Sequence, residues 1–142
     1  MKSKFHFELS AFHRLLQGIA LVACLISAKA ESAFSLIQEL EGAAIVAANG
    51  QFLGVITTNS YDPKSILNEY GDYGSEYSEH SIFNEYGEYG GEYGEYSPFN
   101  EFTYTPPKIY TKDHKWAYLT VNRALRPRID PHWLIGILEA NE

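Results

Sequence analysis

Cysteine is all but absent: the 142 residues hold one, Cys24, and it lies in the leading segment. From residue 31 onward there is none, which excludes disulfides, thiolate catalysis and cysteine metal sites from that part of the chain. Long apolar runs are scarce as well. The run Leu15–Ser27 covers about 13 residues and is broken by Gln17 and Gly18, whereas a membrane-spanning helix needs roughly 20. No later stretch comes closer, so no transmembrane segment is expected in the remainder. Lysine and arginine are missing altogether from residues 65–102, where nine acids stand. Phosphate backbones call for a net basic surface, so no nucleic-acid partner is expected. His80, His114 and His132 lack metal-ligand spacing, and there is neither a Gly-x-Ser-x-Gly elbow nor a phosphate-cradling glycine loop with its lysine. No catalytic residue and no cofactor are therefore assigned.

What is present begins with a leader. Lys2, Lys4 and Arg14 precede the apolar run, and Ala28-Lys29-Ala30 closes it with the small-x-small pattern of a signal peptidase site. Residues 1–30 read as a signal peptide cleaved after Ala30, giving an exported protein, periplasmic or secreted. Leu21-Val22-Ala23-Cys24 matches a lipobox, so lipidation at Cys24, with a lipid-anchored product, is the alternative. Cleavage after Ala30 leaves a mature chain, 31–142, in which acids far outnumber bases. Nearly all of its bases lie between Lys108 and Arg128, so an acidic segment is followed by a basic one that can offset its self-repulsion.

The acidic segment repeats itself with a period of sixteen. Ser65-Ile66-Leu67-Asn68-Glu69-Tyr70-Gly71 returns as Ser81-Ile82-Phe83-Asn84-Glu85-Tyr86-Gly87 and begins again at Ser97-Pro98-Phe99-Asn100. A fixed period means one structural unit used repeatedly. Two full copies are too few for a free-standing solenoid, and the glycines oppose a long helix. The spacing predicts tight turns, with Asn68, Asn84 and Asn100 bonding to nearby backbone, or else a disordered low-complexity tract. In the folded case the tyrosines are expected to bury their rings and keep their hydroxyls at water or a partner. An exposed row would instead be a binding surface, with Tyr70, Tyr73, Tyr77, Tyr86, Tyr89 and Tyr93 as its candidates.

Two hairpins flank the repeat. Asn49-Gly50 between apolar runs predicts a type I′ hairpin over 43–58. A second is expected over 108–121, turning at Lys112-Asp113. A shift of 63 lays Gly54–Asn59 on Ala117–Asn122, which implies a duplication with the repeat inserted between its halves. Both faces of the resulting antiparallel sheet look apolar and in need of cover from the repeat. Asp130-Pro131 opens a short helix over 131–140, with Trp133, Leu134, Ile137 and Leu138 on one face. Residues 31–42 are a linker or short helix and 43–140 a single domain. The expected class is mainly β with a short C-terminal helix, an α+β fold.

Taken together, Tyr-Gly-x-Tyr-Gly-Ser-x-Tyr-Ser, Ser-Pro-Phe-Asn, Thr-Pro-Pro-Lys-Ile, Tyr-Leu-Thr-Val-Asn and Pro-Arg-Ile-Asp-Pro resemble a widespread family of small bacterial proteins, often exported and without an assigned function. The resemblance covers about residues 44–138 and implies a domain rather than an activity. That family often carries Lys, Arg or Pro at the intervening positions, where this chain has Glu or Asp, and Gly91 and Gly94 stand at Ser-like positions.

The functional expectation is a non-catalytic envelope or secreted protein with a structural or binding role. One alternative is a glycan or cell-wall module using exposed tyrosines, with a cell-wall polymer or envelope protein as partner. Another is calcium binding, since Ca²⁺ takes six to eight oxygen ligands; its candidates are Asp72, Glu76, Glu88 and Glu92.

Overall fold

Two hairpin turns are each closed by a residue in the left-handed region. A computed structural model describes Gln17, Ala23, Ser27 and residues 29–142. At the first turn Gly50 N donates to Ala47 O (2.9 Å) and Ala47 N to Gln51 O (2.8 Å). Gly50 has φ +90° while Asn49 stays outside the positive-φ region. The expected type I′ turn is therefore replaced by a turn over 47–50 closed by a left-handed glycine. Asn49 Oδ1 holds this form by accepting from Gln51 N (3.1 Å). The second turn repeats the pattern with His114 N to Thr111 O and Thr111 N to Lys115 O, and His114 takes the left-handed position at φ 60°.

These turns join β1 (Ala43–Val46) to β2 (Phe52–Ile56) and β3 (Lys108–Tyr110) to β4 (Trp116–Leu119). The hairpins meet through antiparallel β1 and β3, giving the order β2-β1-β3-β4-β5. The sheet is mixed rather than wholly antiparallel, because β5 (Arg128–Ile129) runs parallel to β4. The first half has the same return in miniature. Val55 bridges Ser65 in parallel, and the duplication shift carries that bridge onto the pairing of Tyr118 with Arg128. The bonds match too: Val55 N donates to Lys64 O (2.8 Å) and Tyr118 N to Pro127 O (2.9 Å). Thr57 and Thr120 hydroxyls accept from Asn59 N and Asn122 N in corresponding positions. The two halves are copies in hydrogen bonding as well as in sequence.

One sheet face is sealed and the other is not. Ala43, Ile45 and Ile56 are buried with Ile109 and Leu119, all on one side by the strand pairing. The opposite side carries Lys108, Tyr110, Trp116 and Tyr118, which remain partly or well exposed. The expectation that both faces are covered is thus corrected. Trp116 and Tyr118 pack edge to face (5.2 Å), and Lys108 Nζ lies 4.6 Å from the Trp116 ring centre. A cation stacked on aromatics tolerates water where an aliphatic face would not.

Residues 29–40 are helical (α1). Ile37 and Leu40 are buried, so the compact unit 37–142 starts before residue 43. Ala30 is an exposed residue of α1; Cys24 lies outside the described residues. α2 (Pro131–Glu139) is capped by Asp130, whose Oδ1 accepts from His132 N (3.0 Å). Its Leu134 and Leu138 are buried, but Trp133 is exposed rather than on the inner face. Among the described residues no helix is long and apolar enough to cross a membrane.

Candidate functional site

The repeat folds as an unbroken ladder of turns. Asn68 N donates to Ser65 O, Gly71 N to Asn68 O, Ser75 N to Gly71 O, Ser78 N to Ser75 O and Ser81 N to Ser78 O. The same steps recur from Asn84 through Gly87, Gly91, Gly94 and Ser97 to Asn100. Steps of three, three, four, three and three residues make up the period of sixteen. The ladder starts before the sequence repeat, since Asp62 N already donates to Asn59 O (3.2 Å).

Small polar residues stand at the steps for a reason. Ser65, Ser75, Ser78, Ser81 and Ser97 accept at Oγ from the backbone N–H two residues on. Asn68, Asn84 and Asn100 do this with Oδ1 and also reach back six residues with Nδ2, to the carbonyls of Asp62, Ser78 and Gly94. Each asparagine thus satisfies two backbone groups that have no strand or helix partner. Chain segments six residues apart come so close that a Cβ on Gly74 would overlap Asn68 O, and one on Gly90 would stand 2.5 Å from Asn84 O. Ile66 and Ile82 fill the inner side and are fully buried. Burying such a side chain is worth about 1.5–3 kcal/mol, against about 0.5–1.5 kcal/mol for one neutral hydrogen bond. Each isoleucine is therefore worth more than any one hydrogen bond of its repeat, while the many hydrogen bonds together set the shape of the ladder.

With isoleucine and serine inside, the tyrosines have two fates. Tyr70, Tyr77, Tyr86 and Tyr93 are 98%, 89%, 98% and 81% exposed, so their rings do not bury as expected. Tyr73 and Tyr89 are half-buried and do not belong to the exposed set. The Tyr73 ring packs edge-on to Phe52 of β2 (5.0 Å), and Tyr89 Oη accepts from Asn49 Nδ2 (3.0 Å). These two fasten the repeat to the first hairpin.

Two clefts open between the repeat and α2. The first, about 430 Å³, is lined by Leu67, Glu69, Tyr70, Glu76, Tyr77 and Phe83. The second, about 980 Å³, is lined by Phe83, Glu85, Tyr86, Glu92, Tyr93 and Phe99. These six residues of the second are those six of the first moved on by one repeat, and Phe83 serves both. α2 completes the walls with Glu139 in the first cleft and His132 and Ile135 in the second; Glu142, just beyond the helix, adds a fourth carboxylate to the first. Gly91 stands in the second cleft where Ser75 stands in the first. No family model, curated protein or solved structure matches the chain.

The calcium candidates are not gathered into one site. Glu76 lies in the first cleft, Glu88 and Glu92 in the second, and Asp72 in neither. Among the described residues no three His, Cys, Asp or Glu side chains form a group that could hold a metal. The carboxylates follow the turn spacing, which spreads them along the ladder. Sequence reasoning missed the wall from α2, which no local pattern encodes. It also missed Glu69 and Glu85, although both recur beside an exposed tyrosine once per repeat. Beyond the clefts, Tyr96 stacks on Tyr89 (6.2 Å), and its hydroxyl pKa is raised, chiefly by the charge of adjacent Glu95, then by burial, Glu88 and Tyr89.

Proposed function

We propose that the protein is an exported, non-catalytic binding domain that holds a cell-wall glycan against the tyrosines of its two clefts. One observation carries this: the shift of one repeat carries the tyrosine pair of the first cleft, with its flanking glutamates, onto that of the second, and the rings of both pairs are exposed. Tyrosine brings a large rigid contact surface at low cost in side-chain entropy. Such a ring exposed to water gains by covering a flat apolar face, which sugar rings offer. Two like subsites in series suit a chain of repeating units, since engagement of one raises the effective concentration at the other. The leader over 1–30 supports export. The serines and asparagines of the repeat cap its backbone, which supports architecture and binding over nucleophilic chemistry.

The test is co-sedimentation of the protein with isolated cell-wall polymer. Binding is expected, and it should be lost in the Tyr70→Ala, Tyr77→Ala, Tyr86→Ala, Tyr93→Ala variant while the far-UV circular dichroism is retained. No binding, or binding indifferent to these rings, overturns the proposal.

A further inference from the structure

We infer that the glycan held by these clefts is cationic, an amino-sugar chain bearing free ammonium groups. The inference rests on the glycan-binding function proposed above and adds the charge of the ligand. The first cleft is walled by Glu69, Glu76, Glu139 and Glu142, and the second by Glu85, Glu88 and Glu92; neither has a lysine or arginine in its lining. A neutral sugar pressed on the tyrosines can offer these exposed carboxylates hydroxyl hydrogen bonds but no opposite charge, and bonds between two ionised partners are the stronger ones. An anionic polymer is repelled. A de-N-acetylated hexosamine chain meets both halves of the lining at once. Its ring face stacks on tyrosine, and its ammonium forms charge-assisted hydrogen bonds to carboxylate. The shift of one repeat brings one tyrosine pair and its two flanking glutamates round together, Glu69 and Glu76 with Tyr70 and Tyr77, then Glu85 and Glu92 with Tyr86 and Tyr93. Charge and ring are thus repeated in step, as a polymer carrying both on each unit requires.

The experiment is calorimetric titration of the full chain with glucosamine oligomers, N-acetylglucosamine oligomers of equal length, and oligolysine. The glucosamine oligomer is expected to bind about tenfold or more tightly than its acetylated counterpart, from several exposed ion pairs acting together. Added salt should weaken it. The Glu69→Gln, Glu76→Gln, Glu85→Gln, Glu92→Gln variant should lose that preference, with circular dichroism retained. Equal or tighter binding of the acetylated oligomer, still dependent on the four tyrosines, overturns the inference and leaves glycan binding standing. Oligolysine binding as tightly as the amino sugar shows a cation site for peptides and overturns it as well. Binding of none of the three, together with failure of the cell-wall sedimentation, removes both proposals.

Discussion

Ile45 of β1 pairs with Ile109 of β3 at the centre of the sheet, and both are buried. The sequence displacement that carries Ile45 onto Ile109 also carries Ala44 onto Lys108 and Val46 onto Tyr110. It therefore exchanges the two flanking pairs, Ala44 with Tyr110 and Val46 with Lys108. The duplicated halves meet about a local two-fold, as the subunits of a symmetric dimer do. Ile45→Val and Ile109→Val should each lower stability by about 1 kcal/mol. In urea unfolding the double variant should depart from the sum, because directly paired residues couple. A large loss at one site and none at the other would contradict an evenly shared core.

The reach of asparagine across the turn ladder can be tested by one atom. Asn84→Asp keeps the oxygen that accepts from Tyr86 N (3.1 Å) and removes the amide N–H that donates to Ser78 O (3.1 Å). It also sets a charge against a carbonyl. A loss of about 1–3 kcal/mol is expected, read as a lower denaturation midpoint. Unchanged stability would mean the cross-ladder bond is dispensable.

His114 occupies a left-handed position at φ 60° that Gly50 fills in the other half. A side chain there costs roughly 1–2 kcal/mol, while glycine gives part of this back through its looser unfolded state. His114→Gly should raise stability by up to about 1 kcal/mol in thermal melts. Destabilisation would show that the exposed imidazole has a partner worth more than the strain.

Alkaline pH should destabilise the fold. Lys115 is held above its ordinary 10.5, first by its hydrogen bond to Glu39 (2.5 Å), then by the Glu39 charge, with burial opposing and Asp113 assisting. Tyr96 is held above its ordinary 10.0. In both cases the folded state keeps its proton longer than the unfolded chain. The associated stability is fully present below the unfolded values and lost as pH rises through the folded ones. Melting temperature should fall above about pH 10. Glu95→Gln should bring the Tyr96 ionisation, followed by NMR, to lower pH; no movement would remove the assigned cause.

The parts legible in the sequence are those whose reasons lie within a few residues. The repeat, the turn-forming asparagines, the Asp130 cap and the duplicated hairpins follow from short-range hydrogen bonding and spacing. The form of the Asn49-Gly50 turn was not legible, because Asn49 chose a bond to Gln51 N over a positive φ. Nor was the fifth strand, since two residues of Arg128-Ile129 carry no period and need β4 beside them.

By itself the sequence set the period of sixteen and favoured tight turns over a disordered tract, because the hydrogen bonds of such turns close within six residues. Only the tertiary structure decided which tyrosines meet water. Tyr70 and Tyr73 share one repeat, yet Phe52 of a distant strand covers the second and leaves the first free. It likewise decided that α2 turns two rows of side chains into clefts. Burial depends on what arrives from elsewhere in the chain, and a local pattern does not encode that.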